Sequence, residues 1–207
     1  MKTIKGIIFD LDGTLTLPVM DFGLLRRNLG LHTTTRDVLE AIKDWTPEQQ
    51  VQGHKIIHDF EMDARNKLVI QPGASELMQL LETLNIKKAI HSRNNLANIT
   101  YFQDQLGYKF DPLVGREIEP PKPNPAGCQH ISKHWLIDAK DILFIGDSKD
   151  DLLTSKAFGS CSVLLVNEHN DKAKEMADLC VNSLEEFRQL IENGFFIGHT
   201  VSGGAKI

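Results

Sequence analysis

Cysteine is scarce in this chain. Cys128, Cys161 and Cys180 are its whole complement in 207 residues, and none are spaced C-x-x-C. An odd, scattered set argues against a disulfide framework and a cysteine-based zinc site, and points to a reducing compartment. Cys161 and Cys180 lie in apolar runs and read as buried core thiols. Basic charge is also short. The net charge is −5, so no basic stripe offers itself to nucleic acid. Long apolar runs are missing too. The first one ends at Asp10, too early for a signal peptide despite Lys2 and Lys5, and no run reaches transmembrane length. Repeats and low-complexity tracts are absent. The expectation is a soluble, cytoplasmic protein with no nucleic-acid and no membrane partner, acting as a monomer or homodimer.

What the chain does contain is enough apolar material for a real core, 41% of its residues. Its length suits one α/β domain with an insertion, or two small domains. Short apolar runs at 4–9, 86–90, 141–145, 161–166 and 179–182 read as strands. Helical patterns fall at 74–84, 95–106, 125–135, 149–157 and 184–193. Asn124-Pro125 reads as an N-cap with proline at the first helical position, and Ser183 with Glu186 as a capping box. Strands alternating with helices predict a Rossmann-like parallel sheet covered on both faces.

Residues 18–71 break that alternation. Leu24, Leu25 and Leu29 mark one short helix; Val38, Leu39 and Ile42 mark a second, with Thr34 and Asp37 as its cap. Thr46-Pro47-Glu48-Gln49 opens a third, whose apolar stripe is Ile57, Phe60, Ala64 and Leu68. Phe22 and Trp45 read as core of this helical segment. The expected organisation is a core from 1–17 plus 72–207, with a helical cap at 18–71 inserted in it. Insertions of this length tend to be lids. The last residues, Ser202 to Ile207, read as a frayed end.

The chemistry gathers where the buried runs stop. Asp10 and Asp12 follow the first strand in Phe-Asp-Leu-Asp-Gly-Thr, and Asp147 and Asp151 follow a later one in Gly-Asp-Ser-Lys-Asp-Asp. Open α/β sheets bind ligands just past such strand ends. Carboxylates converging there would repel one another, which implies a bound dication.

These two motifs, with Ser92 in His91-Ser92-Arg93-Asn94 and Lys122 in Lys-Pro-Asn-Pro between them, resemble the haloacid dehalogenase-like (HAD) superfamily. The likeness is to its phosphatase branch with a helical cap, of the phosphoglycolate phosphatase and β-phosphoglucomutase type. The motifs stand in the family's order and span almost the whole chain. The resemblance implies hydrolysis of a small phosphorylated metabolite through a phospho-aspartate on Asp10. Asp12 would be the general acid and base. Magnesium would be held by Asp10, Asp147 and the main-chain oxygen of Asp12, with Asp151 bound to it directly or through water. Ser92 would donate to a phosphoryl oxygen, and Lys122 would neutralise Asp10 and the transferring group. Gly13 and Thr14 would bring backbone N–H groups to the phosphate. Arg93 and Asn94 join the expected substrate-binding residues. Arg93 stands where family members often carry a small residue or Asn; it either points at the phosphate or substrate, or faces solvent.

Other readings of the same residues are a β-phosphoglucomutase-like phosphomutase and a non-enzymatic phosphorylatable or phosphate-binding module. A dehalogenase fits poorly, because that branch lacks the second aspartate. Ser148 with Asp151 also reads as a helix capping box, which is compatible with a metal role for Asp151. Ser92 has a structural reading as the cap of the helix starting near Asn95. Asp150 reads as a solvated first-turn residue. His54 and His58 have metal-ligand spacing but no third ligand nearby. Arg26 and Arg27 are either a solvated helix face or an anchor for an anionic substrate.

Overall fold

The computed structural model of the chain describes residues 4–19, 21–32 and 38–194. Ile7, Ile8 and Phe9 have no exposed surface, as expected of a strand covered on both faces. They form β1 (Gly6–Phe9), which pairs in parallel with β2 (Lys87–His91) on one side and β4 (Ile142–Gly146) on the other. β3 (Leu113–Val114), β5 (Cys161–Leu165) and β6 (Leu179–Val181) complete a parallel sheet in the order β3-β2-β1-β4-β5-β6. This is a doubly wound arrangement, in which the chain leaves β1 toward one edge and returns at β4 to build the other. β3 has no counterpart in the sequence reading, because two residues carry no periodicity.

Helices α4 (Ala74–Thr83), α5 (Leu96–Leu106), α6 (Ala126–Trp135), α7 (Lys149–Phe158) and α8 (Leu184–Glu192) cover the sheet. Register puts Ile8 beside Ala89 and Phe144, and these pack with Cys128, Ile131 and Trp135 of α6. Elsewhere Phe9 meets Phe110 edge-on, with ring centroids 6.1 Å apart. α8 lies on α4 and buries Leu184 and Phe187 completely. The thiols differ from expectation: Cys128 is the buried one, while Cys161 and Cys180, near strand starts and the sheet edge, are half-buried.

Two helix starts also differ. α6 begins one residue late, so Pro125 is the cap residue and the Asn124 side chain accepts the Ala126 N–H at 3.0 Å. Ser183 caps α8, but Glu186 takes the Asn182 N–H, at 2.7 Å, so the box is half made.

The chain divides into two compact units, residues 1–17 with 70–207, and residues 18–69. Ile70 and Gln71 go with the sheet unit because Ile70 bridges Thr16 and the Gln71 N–H donates to the Leu15 carbonyl at 2.9 Å. The inserted unit holds α1 (Phe22–Asn28), α2 (Val38–Ile42) and α3 (Pro47–Asn66). α3 opens on a complete capping box between Thr46 and Gln49. Leu25, Leu29, Val38, Ile42 and Ile57 make its core, with Trp45 and Phe60 against them. Ala64 and Leu68 are only half-buried, and Phe22 is 54% exposed rather than core. The caps read at Thr34 and Asp37, and the chain end from 195, lie outside the described residues. The architecture is the α/β, Rossmann-like sheet with an inserted helical cap. Among the described residues no helix is long and apolar enough to cross a membrane.

Phe187 is fully buried between α8 and the core. Phe187→Ala should lower stability by about 3–5 kcal/mol in urea unfolding. A loss below about 1 kcal/mol would show that α8 does not seal the core as described.

Candidate active site

The order of the strands decides where a site can form. β1 and β4 are neighbours whose following segments run to opposite sides, which opens a crevice beyond their C-terminal ends. Asp10 follows β1, and its N–H donates to the Ile145 carbonyl of β4 at 2.9 Å. Asp147 follows β4. Ser92 follows β2 and is tied to β3 by its N–H on the Val114 carbonyl at 2.9 Å. Asp151 stands in the first turn of α7. Lys122 comes from the loop before α6.

Asp10, Asp147 and Asp151 each bring a carboxylate oxygen within 4.8 Å of the other two. The Lys122 ammonium lies among them, donating at 2.6 Å to Asp10 Oδ1 and at 2.6 Å to Asp151 Oδ1. It is only 4% exposed, and Nζ sits 5.7 Å from the Phe144 ring centroid. Asp151 divides its two oxygens. Oδ1 faces Lys122, and Oδ2 accepts the Ser148 N–H at 3.0 Å and its hydroxyl at 2.6 Å. The capping box is therefore present, and it orients Asp151 into the cluster.

Three acids stand against one ammonium in a buried setting, and burial and charge together displace their protonation. Burial, then the charge of Asp151, push Asp10 up to about 7, with Lys122 pulling the other way. Burial and Asp151 likewise push Asp147 up to about 6. Burial works against the Lys122 ammonium, but Asp10 and Asp151 outweigh it and hold its pKa above the usual lysine value. His91, stacked on Phe144 with centroids 6.0 Å apart, is pushed down to about 3 by burial and then by Lys122, so it is neutral. An oxygen-only, over-acidic donor set of this kind fits a hard divalent cation.

The remaining candidates are distributed around this cluster. The Asp12 side chain is outside the three-carboxylate group and accepts a hydrogen bond from Asn94 Nδ2. Ser92 does not cap α5; Asn95 does, accepting the Asn98 N–H at 2.9 Å. Ser92 Oγ instead accepts the Asn94 N–H at 3.0 Å. The backbone donors of Gly13 and Thr14 are not available to a phosphate as expected. They close the turn itself, Gly13 N–H on the Thr16 carbonyl at 2.9 Å and Thr14 N–H on the Leu11 carbonyl at 3.2 Å. Gly13 matters for another reason: it has φ +83°, and a Cβ there would collide with the Asp147 carboxylate. The Thr14 hydroxyl is buried with no hydrogen-bond partner.

Arg93 lies on the solvent side, with its side chain 43% exposed. Its guanidinium donates to the Lys122 carbonyl and, at 2.7 Å, to Asp150 Oδ2. Asp150 is the solvated first-turn residue expected, with its side chain 39% exposed, and it is also ion-paired to Arg93. His54 and His58 are exposed on α3, and among the described residues they belong to no three-ligand group. Arg27 lies 3.7 Å from Asp21, with both side chains largely exposed.

Sequence reasoning missed Asn167 and Asn170, in the loop after β5. Asn167 Nδ2 donates to Asp147 Oδ2 at 3.0 Å, and Asn170 Nδ2 to the Asp147 carbonyl at 2.8 Å. A signal was there: polar residues just past a buried strand, on the same rim that drew attention to Asp10 and Asp147.

Residues 4–159 match the family model described as haloacid dehalogenase-like hydrolase. A haloacid dehalogenase-like hydrolase domain-containing protein of Arabidopsis thaliana is 34% identical, with 93% of this chain and 85% of the relative covered. A phosphoglycolate phosphatase of Chromobacterium violaceum is 24% identical over 94% of this chain and 99% of its own. In fold, the crystal structure of CbbY from Rhodobacter sphaeroides in complex with phosphate is similar, with TM-score 0.70 and 19% identity, covering 89% of this chain and 96% of that one. The carboxylate cluster at the switch point and the length of these matches agree: the chain belongs to the haloacid dehalogenase-like hydrolases.

Proposed function

We propose that the chain is a magnesium-dependent phosphatase that hydrolyses a small phosphorylated metabolite through a phospho-aspartate on Asp10. The observation that carries this reading is the buried Asp10 carboxylate, held at 2.6 Å by Lys122 beside Asp147 and Asp151. Relatives named phosphoglycolate phosphatase support a phosphate monoester as substrate.

Asp10, Asp147 and Asp151, with the main-chain oxygen of Asp12, would hold magnesium. When bound, it supplies positive charge to the phosphoryl oxygens and offsets the repulsion between Asp10 and the phosphate. Lys122 does part of the same work from the other side and fixes the direction of the Asp10 carboxylate. An Asp10 oxygen forms a bond to phosphorus as the ester P–O bond breaks. Asp12, entering protonated, gives its proton to the departing alkoxide oxygen. Asp12 then takes a proton from water as that water attacks phosphorus and the Asp10–phosphorus bond breaks, releasing inorganic phosphate. Asn94 steadies Asp12 for both transfers. Ser92 accepts a bond from Asn94, so its own hydroxyl proton is available to a phosphoryl oxygen.

Asp10→Asn should abolish magnesium-dependent hydrolysis of p-nitrophenyl phosphate, and full retained activity would refute the nucleophile. Asp12→Asn should still form the phospho-enzyme while turning over about 10²–10⁴-fold more slowly. Acid-quench labelling separates the two steps, and unaltered turnover would remove the acid–base role.

The pH dependence of stability gives an independent check. Without metal, Asp10 and Asp147 bind protons more tightly folded, at about 7 and about 6, than at their ordinary 3.8. Their contribution to stability is fully present below the unfolded value and is lost as pH rises through the folded values. Magnesium binds the deprotonated carboxylates, so it should raise the melting temperature more at pH 8 than at pH 5. Equal gains at both pH values, read by thermal denaturation with magnesium or chelator, would contradict this reading.

A further inference from the structure

Asp10 and Asp151 are steered by the Lys122 ammonium, whereas Asp147 is steered by a neutral amide. Asn167 Nδ2 donates to Asp147 Oδ2 at 3.0 Å. The direction of that amide is set by its other end, since Asn167 Oδ1 accepts the His169 N–H at 2.9 Å. Asn170 braces the same loop. Its Oδ1 accepts the Asn167 N–H at 2.9 Å, and its Nδ2 donates to the carbonyls of Asp147 and Leu165, each at 2.8 Å. Asp147 is thus gripped by both its side chain and its main chain from residues 167–170. A Cβ at Gly13 would collide with Asp147 Oδ2, so glycine there leaves the carboxylate its place.

The chemistry of the donor matters as much as its position. A second ammonium, added at 167 beside Lys122, would cancel more of the negative charge that a dication needs. An amide fixes the carboxylate and leaves its negative charge for the cation. Groups that orient metal ligands in this way commonly change affinity about 10–100-fold when removed.

We propose that Asn167, braced by Asn170, is a positioning residue that pre-sets Asp147 for the divalent cation and thereby sets the protein's magnesium affinity. This rests on the magnesium-dependent reading of the site given above. The test is direct titration of the full chain with magnesium alone, by calorimetry, for the wild type, Asn167→Ala and Asn167→Ser. Serine is included because its shorter hydroxyl does not reach Asp147 and it provides a second variant should alanine fail to fold. Both variants should bind magnesium about 10–100-fold more weakly. Turnover of p-nitrophenyl phosphate should return close to the wild-type value at saturating magnesium. A merely structural role would instead lower the metal-free melting temperature and leave magnesium affinity unchanged, and that result would overturn the proposal. Turnover that stays low at saturating magnesium in both folded variants would overturn it as well. A wild-type chain that binds no magnesium would sink the metal reading itself, whereas wild type and variants binding equally would sink only the role of Asn167.

Discussion

The ammonium of Lys122 is the contact on which this site depends. It is buried between two carboxylates, and a third, Asp147, stands within reach of both. Two like charges about 4 Å apart near a protein surface repel by roughly 4 kcal/mol, so three acids at one rim are not tolerable on their own. One lysine offsets part of that repulsion and no more. Burial first, and then the charge of Asp151, push the carboxyls of Asp10 and Asp147 upward. The site is therefore built one cation short. Asp10, Asp147 and Asp151 would hold a dication there, and it would supply the positive charge the cluster lacks.

The scaffold makes this arrangement rigid by small means. The switch point places the ends of β1 and β4 side by side, so Asp10 and Asp147 need only the shortest acidic side chain to meet. The capping box of α7 uses one oxygen of Asp151 for the helix and leaves the other for Lys122. Gly13 and Gly146 remove the two Cβ atoms that would collide with Asp147 and Asp151. Beneath Lys122 the floor is Phe144 and a neutral His91, which add no competing charge. The same residues that finish strands and start helices thus set the directions of the carboxylates.

This coincidence explains how much could be read from the chain alone. Strands such as Ile142–Gly146 are short, wholly apolar and bounded by turn residues, so they and the acids that follow them stand out. The Thr46 and Ser148 boxes are local in sequence and were equally legible. β3 was not, because two residues next to Pro112 carry no period. The Gly13 and Thr14 amides were assigned to phosphate because turns of this kind can present donors. Which way a tight turn spends its donors depends on its closure, and here Leu11 and Thr16 take them. Asn167 was passed over because a neutral amide carries no charge signature, although its place after β5 matches that of the acids after β1 and β4. Phe22 was misjudged because an aromatic on a short helix says nothing about whether a neighbour covers it.

Arg93 shows why a departure from a family pattern need not weaken the site. α7 opens with two acids in succession, Asp150 and Asp151, and only the second faces Lys122. Asp150 points outward, with its side chain 39% exposed. The Arg93 guanidinium meets it on the outside, and the same nitrogen, Nη2, also donates to the carbonyl of Lys122. One guanidinium nitrogen thus serves a carboxylate and a carbonyl together. The segments that supply Ser92, Lys122 and Asp151 are thereby fastened to one another from the solvent side. The exposed Asp150 carboxylate thereby becomes part of a tie between the loops after β2 and before α6 and the start of α7.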